Sequence, residues 1–425
     1  MKHPWLVFTL LLALAAVPAI VLGAPLTDQE QLGKELFFDK RLSSPGGQSC
    51  ADCHGATVGF TGPKPIFNQD GGVYPGAVRE RFGNRKPPTA AYGGASPNFH
   101  YDADEELFVG GMFWDGRATG DVAGSPLADQ AMGPFLNPVE QNNASEEAVC
   151  GKVAKGPYVR LYEKVFGPLD CVTYTADGHL QSYKNFAVAI AAYESSIEVS
   201  PYTAKFDYVM AGEAEFTPQE QLGWDVFNNQ GLCAECHPGG GFADFTDFTY
   251  DNLGLPKNPA NPFYRMDTVF LDDGTPINPE GAAWVDPGLA GFLDGLPESY
   301  FTELGLTKAD TVSGAEGKHK VPTLRNVDKR PGPGFVKAFG HNGYFTSLQG
   351  IVHFYNTRDI KEECAEPLAM EEALPQNCWP APEVGANLNI NELGDLGLSE
   401  EEEAALVAFM GTLSDGYRPV GKGKK

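Results

Sequence analysis

The chain of 425 residues is long enough for two or three domains with full hydrophobic cores. Its formal net charge of -25 argues against binding to nucleic acid or anionic lipid and instead suits a basic protein partner. Glycine and proline make up about 20 per cent of the residues, which predicts helices joined by long loops.

The first 23 residues have the organisation of a cleaved secretory signal peptide. Lys2 gives a basic start, residues 6–21 are apolar, and Gly23 and Ala24 provide small residues for cleavage. An uncleaved anchor is disfavoured because the apolar run is short for a bilayer span and contains Pro18. We therefore predict export, to a bacterial periplasm, with no membrane anchor after cleavage.

One eleven-residue segment occurs twice in the chain. TDQEQLGKELF at 27–37 recurs as TPQEQLGWDVF at 217–227, with seven identical positions. Each copy opens with threonine followed three residues later by glutamate, which is the capping box of a helix. The duplication predicts two related units, each beginning with a helix.

A C-x-x-C-H motif follows each copy of the repeat, as CADCH and then as CAECH. Two thiols one helical turn apart can add to the vinyl groups of haem, and the adjoining imidazole can bind the iron. The motifs therefore predict two covalent haem c groups, with zinc or a redox dithiol as the minor alternative. The predicted haem-binding residues are Cys50, Cys53 and His54, and then Cys233, Cys236 and His237.

The other four cysteines form two pairs that are local in sequence. In an exported protein we predict the disulfides Cys150–Cys171 and Cys364–Cys378, with free structural thiols as the alternative.

The fold is predicted to be mostly α. Segments 182–199 and 399–413 are predicted as the helices that close the first and second units. The chain then consists of two tandem c-type cytochrome domains with long loops, at 24–205 and 206–418, followed by a basic tail at 419–425.

With these motifs placed, the chain resembles the bacterial dihaem cytochrome c peroxidase and MauG family. The matching segments span nearly all of the mature chain: LGKELFFDKRLS, FWDGRA, QAMGPFLNPVE, VPTLRNV and HNGYFTSL. The resemblance implies an exported enzyme whose first haem reacts with hydrogen peroxide and whose second haem exchanges electrons with the first.

The resemblance also implies three catalytic residues. Gln130 and Glu140 match the distal glutamine and glutamate, where a carboxylate can move a proton between the peroxide oxygens. Trp114 matches the tryptophan that relays electrons between the haems. By residue pattern alone, Asn137, Pro138 and Glu140 equally predict the start of a helix, and a single tryptophan predicts core packing.

The first haem is predicted to be open to peroxide. Relatives that need reductive activation carry a blocking histidine in the loop after the first motif, and residues 55–99 contain no histidine. His100 lies beyond the matching loop and remains the alternative blocking ligand.

Residues 341–356, HNGYFTSLQGIVHFYN, contain the predicted second ligand of the second haem. In electron-relay peroxidases a methionine stands about fourteen residues after the first histidine of this segment, and this chain has Tyr355 there. His341 then lines the surroundings of the second haem without binding iron.

The residue pattern agrees with this position for the tyrosine. It predicts a helix that Thr346 and Gln349 cap, with Leu348 and Tyr355 on its core face and His353 turned to solvent or a rim. Packing of a buried tyrosine without iron binding is the alternative.

The type of ligand decides the predicted function. An anionic phenolate oxygen favours ferric iron, so the second haem would share oxidising equivalents instead of storing an electron. We therefore predict a MauG-like enzyme that uses hydrogen peroxide and high-valent haem iron to oxidise an aromatic side chain, preferably tryptophan, of a partner protein. The alternatives are a peroxidase that takes electrons from a small cytochrome c or cupredoxin, and a non-catalytic dihaem electron carrier.

The resemblance further implies a calcium ion between the domains, bound by an asparagine side chain and backbone carbonyls. Asn84, in GNRKPPT, is the candidate, although its spacing to the following PT pair departs from the family pattern.

Overall fold

The structure is mostly helical, as predicted, and the computed structural model describes residues 25–240 and 243–419. The predicted signal peptide lies outside the described residues, as do residues 420–425 of the predicted tail. The helices of the first half are α1 (Asp28–Phe38), α2 (Pro65–Gln69), α3 (Pro126–Leu136), α4 (Glu146–Val153), α5 (Val159–Phe166), α6 (Gln181–Glu194) and α7 (Lys205–Met210).

The second half repeats the pattern of a leading and a closing helix. Its helices are α8 (Pro218–Asn228), α9 (Cys233–Cys236), α10 (Leu289–Asp294), α11 (Glu298–Glu303), α12 (Lys308–Gly314), α13 (Leu348–Thr357), α14 (Met370–Gln376) and α15 (Glu400–Gly411). Among the described residues, no helix is both long and apolar enough to cross a bilayer.

Three two-stranded sheets fasten the long loops of the described chain. The antiparallel pairs are β1 (His100–Asp102) with β2 (Leu107–Val109), and β3 (Tyr250–Asp251) with β4 (His319–Lys320). The parallel pair is β5 (Glu362–Glu363) with β6 (Cys378–Trp379).

The two copies of the repeat form equivalent helices with equivalent caps. In α1, Thr27 Oγ1 accepts the Glu30 amide at 3.3 Å while the Glu30 carboxylate accepts the Thr27 amide at 2.6 Å. The Thr217 and Glu220 pair of α8 has the same two distances. Both predicted capping boxes are therefore confirmed.

A glycine in each copy of the repeat lets the leading helix cross the closing helix closely. A Cβ on Gly33 would stand 1.8 Å from the carbonyl oxygen of Ala189 in α6, and one on Gly223 would stand 1.9 Å from that of Ala405 in α15. Only glycine permits such approaches. The same helix pair, with the same contact, thus forms the frame of each unit.

Two hydrophobic cores surround these helix pairs. The first includes Leu36, Phe135 and Phe186 and extends along the chain to Val199. The second begins at Phe206. The core residues therefore change between Val199 and Phe206, close to the predicted domain boundary.

The two units also contact each other through buried groups. Tyr92 of the first unit donates to Asp415 Oδ2 at 2.7 Å, and Lys337 of the second donates to the carbonyl of Val58 at 3.0 Å. A third apolar cluster joins Phe99 of the first half to residues 250–315 of the second. The loops between the helices therefore join the two units at several places.

One predicted helix start is wrong. The pattern of Asn137 and Glu140 gives a single turn after α3, because the left-handed backbone of Asn142, with φ of 54°, stops it from continuing. The next helix, α4, begins only after its own cap at Ser145.

The predicted cap of α13 is wrong by one residue. Ser347, and not Thr346, caps the helix, since its hydroxyl oxygen accepts the Gly350 amide at 3.0 Å. Thr346 donates to Glu371 instead, and Gln349 donates to Glu403 Oε2 at 3.1 Å. The helical phase is unaffected, because Leu348 is buried and Tyr355 packs, half-buried, against the second core as predicted.

Candidate active site

The first motif forms a tight turn that ends in an oriented imidazole. The amide of His54 donates to the carbonyl of Cys50 at 2.9 Å, which brings the two cysteines and the histidine together. His54 Nδ1 donates to the carbonyl of Phe60 at 3.2 Å, so that Nε2 presents a free lone pair. Burial lowers the pKa of His54 to about 4, which keeps the ring neutral and able to bind a metal.

The second motif repeats this design. The amide of His237 donates to the carbonyl of Cys233 at 2.9 Å, and its Nδ1 donates to the carbonyl of Phe245 at 2.7 Å. Burial again lowers the pKa of the imidazole. Each unit therefore offers one neutral histidine whose second nitrogen is available to iron.

The eight cysteines divide into four in disulfides and four free thiols. The disulfides are Cys150–Cys171, with a Cα separation of 5.6 Å, and Cys364–Cys378, with 5.1 Å. The four thiols of the two motifs are free, and burial raises the pKa of each. Half-buried thiol pairs beside neutral imidazoles fit covalently attached haem, which would convert the thiols to thioethers.

A cavity of about 40 Å³ lies against the first motif, and Gln130 and Glu140 both line it with His54. Gln130 comes from α3 and Glu140 from the turn that follows it. Asn137 Nδ2 donates to Glu140 Oε1 at 2.6 Å, and Asn137 Oδ1 accepts the amide of Val139 at 3.1 Å. The turn that replaced the expected helix therefore holds the carboxylate toward the cavity.

The environment of Glu140 suits a group that exchanges protons. Burial raises the pKa of its carboxyl, while the charge of Arg117 and the hydrogen bond from Asn137 partly oppose that shift. A carboxyl in such surroundings is easier to protonate than an exposed one, which a proton shuttle requires.

A second buried carboxyl, Glu194, lines the same cavity and was missed by the sequence reasoning. The residue is 4 % exposed, and its Oε2 atom has no hydrogen-bond partner among the described residues. Burial raises its pKa well above the usual range. The burial of Glu194 could have been predicted from the sequence, because Glu194 continues the helical face of the buried residues Phe186 and Ile190 at intervals of four.

A larger cavity of about 210 Å³ lies against the second motif, and His237 and Tyr355 both line it. Tyr355 extends from α13 and packs against the second core, whereas His353 on the same helix bonds with Glu403 at 2.9 Å. Burial raises the pKa of the Tyr355 hydroxyl, and the nearby thiols of Cys236 and Cys233 raise it further. Within the described residues, Met410 of α15 is the only methionine that lines this cavity.

Trp114 lies at the junction of the two units. Its indole is 9 % exposed, lines the larger cavity, and donates from Nε1 to the carbonyl of Lys86 at 2.9 Å. Its own carbonyl accepts the amide of Lys320 in the second unit at 2.9 Å. His341 lines the same cavity, with its ring 6.4 Å from that of Trp114.

The two remaining candidates lie elsewhere. His100 is exposed on β1, where its Nδ1 bonds with the carbonyl of Asn98 at 2.8 Å. Asn84 offers its carbonyl to Asn261 Nδ2 at 2.9 Å.

Two helical units, each with a C-x-x-C-H turn, a neutral imidazole and a buried cavity, define a dihaem c-type oxidoreductase. Comparison with known proteins gives the same class. A family model described as di-haem cytochrome c peroxidase matches residues 27–215. The methylamine utilization protein MauG of Paracoccus denitrificans is 35% identical over 399 residues, which cover 92% of this chain and 89% of that protein.

Two further proteins show the range of the similarity. The cytochrome c551 peroxidase of Pseudomonas aeruginosa is 32% identical over 244 residues, 56% of this chain and 57% of that protein. The crystal structure of the dihaem peroxidase BthA from Burkholderia thailandensis matches with a TM-score of 0.69 and 27% identity, over 92% of this chain and 87% of that one. The chain belongs to the dihaem cytochrome c peroxidase and MauG family and is a haem-dependent enzyme with two haem c groups.

Proposed function

We propose that the protein uses hydrogen peroxide to oxidise an aromatic side chain of a partner protein, and that this side chain is a tryptophan. The observation that carries this proposal is that Tyr355 and His237 line the same cavity, in which both would hold the iron of the second haem. The 35% identity with a MauG protein over almost the whole chain supports it.

The ligand chemistry connects this observation to the reaction. A phenolate is a hard, anionic donor that stabilises ferric iron, whereas a thioether favours ferrous iron. A second haem held by His237 and Tyr355 would therefore be a poor store for a single electron. It suits an enzyme in which both haems take part in removing two electrons from a substrate.

Near the first haem, residues of the chain would position peroxide and transfer its protons. When bound, the haem supplies the iron that takes two oxidising equivalents from peroxide. Glu140 would accept a proton from one peroxide oxygen and return it to the other, while Gln130 offers its amide to the same cavity. Over the whole reaction, the partner's aromatic side chain gives up two electrons and two protons, and the peroxide takes them up and leaves as two water molecules.

Trp114 is proposed to carry electrons between the haems. Its buried indole lines the larger cavity, and its hydrogen bond to Lys86 holds it in one orientation. An aromatic ring at this junction shortens the distance that each electron must cross. The partner's aromatic side chain supplies both electrons at the end of the path.

The test of the ligand is a low-temperature EPR spectrum of the ferric holoprotein and two variants. We expect one high-spin and one low-spin haem, and a changed low-spin signal in both Tyr355→Phe and Tyr355→Met. Tyr344→Phe is the matched control, because this buried hydroxyl donates to the carbonyl of Leu368 at 3.1 Å. A low-spin signal that survives unchanged in Tyr355→Phe would exclude the tyrosine as ligand.

Met410 is the rival ligand, since it lines the same cavity. A Met410→Leu variant should keep the low-spin signal if Tyr355 binds the iron. Loss of that signal in Met410→Leu, with Tyr355→Phe unchanged, would instead indicate a peroxidase of the electron-relay type.

A cytochrome-fed peroxidase is the second candidate function, because a cytochrome c551 peroxidase is 32% identical over 244 residues. The two functions differ in how the protein consumes peroxide. Under the main proposal, one equivalent of peroxide removes both ferric EPR signals together, and a reduced basic cytochrome c is oxidised only slowly. Fast multiple turnover with the reduced cytochrome would favour the second candidate.

Export to the periplasm belongs to the same proposal. Two disulfides form in oxidising compartments, which supports it. Expression of a tagged chain followed by fractionation should recover it, with haem attached and residues 1–23 removed, outside the cytoplasm. Calcium at Asn84 stays a prediction, and metal analysis of the holoprotein, with Asn84→Ala as the comparison, will decide it.

A further inference from the structure

A cluster of four metal-binding side chains is buried beside Trp114, apart from the predicted haem ligands. One ligand atom each of Asp286, His319 and His341 lies within 4.8 Å of the others. Glu383 adjoins them, with Oε2 at 3.9 Å from His341 Nε2. Their side chains are between 2% and 10% exposed.

Several buried polar atoms converge in this cluster without a hydrogen bond between them. His319 Nδ1 bonds with the carbonyl of Gly317 at 3.0 Å, and because a carbonyl can only accept, Nδ1 carries the proton and Nε2 is a bare lone pair. That lone pair faces Asp286 Oδ2 at 3.5 Å. His341 Nε2 and Glu383 Oε2 also lack a hydrogen-bond partner among the described residues. A cation between buried polar atoms that face one another without partners would satisfy them.

Hydrogen bonds around the cluster hold its side chains in place. Arg85 binds both oxygens of Asp286, at 2.7 and 2.6 Å. The Tyr264 hydroxyl donates to Glu383 Oε1 at 2.9 Å, which leaves Oε2 free. Metal ligands are commonly oriented by outer contacts of this kind.

The charges of the cluster also favour a cation. Arg85 additionally binds Asp115 Oδ2 at 2.6 Å, and Arg117 binds the same oxygen from a half-exposed position. The carboxylates of Asp286, Asp115 and Glu383 thus face two guanidinium groups, which leaves one negative charge in excess.

We propose that Asp286, His319, His341 and Glu383 bind one divalent transition-metal ion, with zinc the best match. Two imidazoles and two carboxylates suit zinc, whereas calcium prefers an all-oxygen site. Ligand atoms around tetrahedral zinc stand about 3.3 Å apart, close to the 3.5 and 3.9 Å of two pairs in the cluster. The rings of His319 and His341 are stacked with their centroids 3.5 Å apart, so one imidazole must turn before both lone pairs point at the same ion.

The position of the ion gives it a role in electron exchange. The ring of its ligand His341 is 6.4 Å from the ring of Trp114. A divalent charge bound to that imidazole disfavours loss of an electron from the indole. The metal therefore sets how readily Trp114 transfers electrons between the units.

The first test is zinc binding to the dihaem holoprotein by equilibrium dialysis, with elemental analysis of zinc and iron in the same sample. We expect one zinc for every two irons, and binding at least about 100-fold weaker in His319→Gln and Glu383→Gln. His100→Gln, at an exposed histidine, is the matched control and should bind zinc like the unchanged protein. Uptake by the unchanged protein no greater than that of His319→Gln would overturn the proposal.

Zinc K-edge X-ray absorption of the unchanged protein gives a readout that needs no variant and that the haem irons do not affect. Two imidazole ligands and the remainder oxygen are expected. A zinc coordinated without imidazole would contradict the site, even if the variants fail to fold.

Discussion

Glu140 is the residue on which peroxide chemistry depends most directly in the proposed function. Replacing its carboxylate in Glu140→Gln should lower the second-order rate constant for peroxide consumption by about 10²- to 10⁴-fold, the usual contribution of a positioned acid or base. Stopped-flow absorption of the holoprotein measures this constant. Glu147→Gln, at an exposed acid outside the cavity, is the control and should change little.

The same carboxyl predicts a pH dependence. Glu140 must be ionised to accept the peroxide proton, and burial raises its pKa above the ordinary value of 4.5. The rate should therefore fall as pH decreases through this raised pKa, and the fall should be absent in Glu140→Gln. If the variant keeps the same pH profile, another group is titrating, and Glu194 in the same cavity becomes the candidate.

Glu194 makes a prediction about stability, and its sign follows from the raised pKa. Above pH 4.5 the carboxyl ionises in the unfolded chain but stays protonated in the folded one, so stability decreases as pH rises toward the folded pKa. Glu194→Gln removes this penalty. Its Tm should exceed that of the unchanged protein at pH 7, by about 3 °C for each kcal/mol recovered, with no difference near pH 4.

Calorimetry of the holoprotein at both pH values checks this expectation. Glu198→Gln is the comparison, since Glu198 is a half-exposed acid that pairs with Lys34 at 2.5 Å. An equal rise in Tm at pH 4 and pH 7 would show that the effect comes from packing and not from ionisation.

At the scale of the helices, substitution of either repeat glycine by alanine should destabilise its unit to a similar extent. Gly33→Ala and Gly223→Ala each force a methyl group against a backbone carbonyl and should lower the free energy of unfolding by about 1 to 3 kcal/mol or more. Gly151→Ala in α4 meets nothing within 4 Å and should instead raise it by about 0.5 to 1 kcal/mol. Denaturant unfolding of the holoprotein compares all three. If Gly33→Ala left the free energy of unfolding unchanged, α1 and α6 would be able to move apart without destabilising the protein.

Features that depend on neighbouring residues could be predicted from the sequence, whereas features that depend on residues far apart in the chain could not. The capping boxes of α1 and α8 and the two C-x-x-C-H turns depend on residues within one helical turn, so local pattern suffices. The cap of α13 was misassigned because Thr346 and Ser347 are equally good local candidates. Their partners, Glu371 and the Gly350 amide, become known only in the folded chain.

Features made by distant residues could not be predicted in this way. The cluster of Asp286, His319, His341 and Glu383 joins four loop and strand positions that no sequence period connects. Glu194 is intermediate, because its helical face was visible, but the cavity that the face borders was not.

At the scale of the whole molecule, the formal charge of -25 predicts how the protein meets its partner. Opposite charges steer encounter over distances comparable with the Debye length, which shrinks as salt is added. If the partner is basic, the association rate constant should fall about tenfold or more as ionic strength rises from about 20 to 200 mM.

Stopped-flow mixing with a basic cytochrome c, and with the substrate protein once it is identified, measures this dependence. Peroxide consumption without a partner is the internal control, because peroxide is neutral and its rate constant should not change with salt. A basic electron donor whose association rate constant depends strongly on salt, and which is oxidised with fast turnover, would favour the cytochrome-fed peroxidase.

Strong salt dependence of association that is limited to a protein losing two electrons from an aromatic side chain would favour the main proposal. An association rate that is independent of salt for the true partner would show that the acidic surface does not guide recognition.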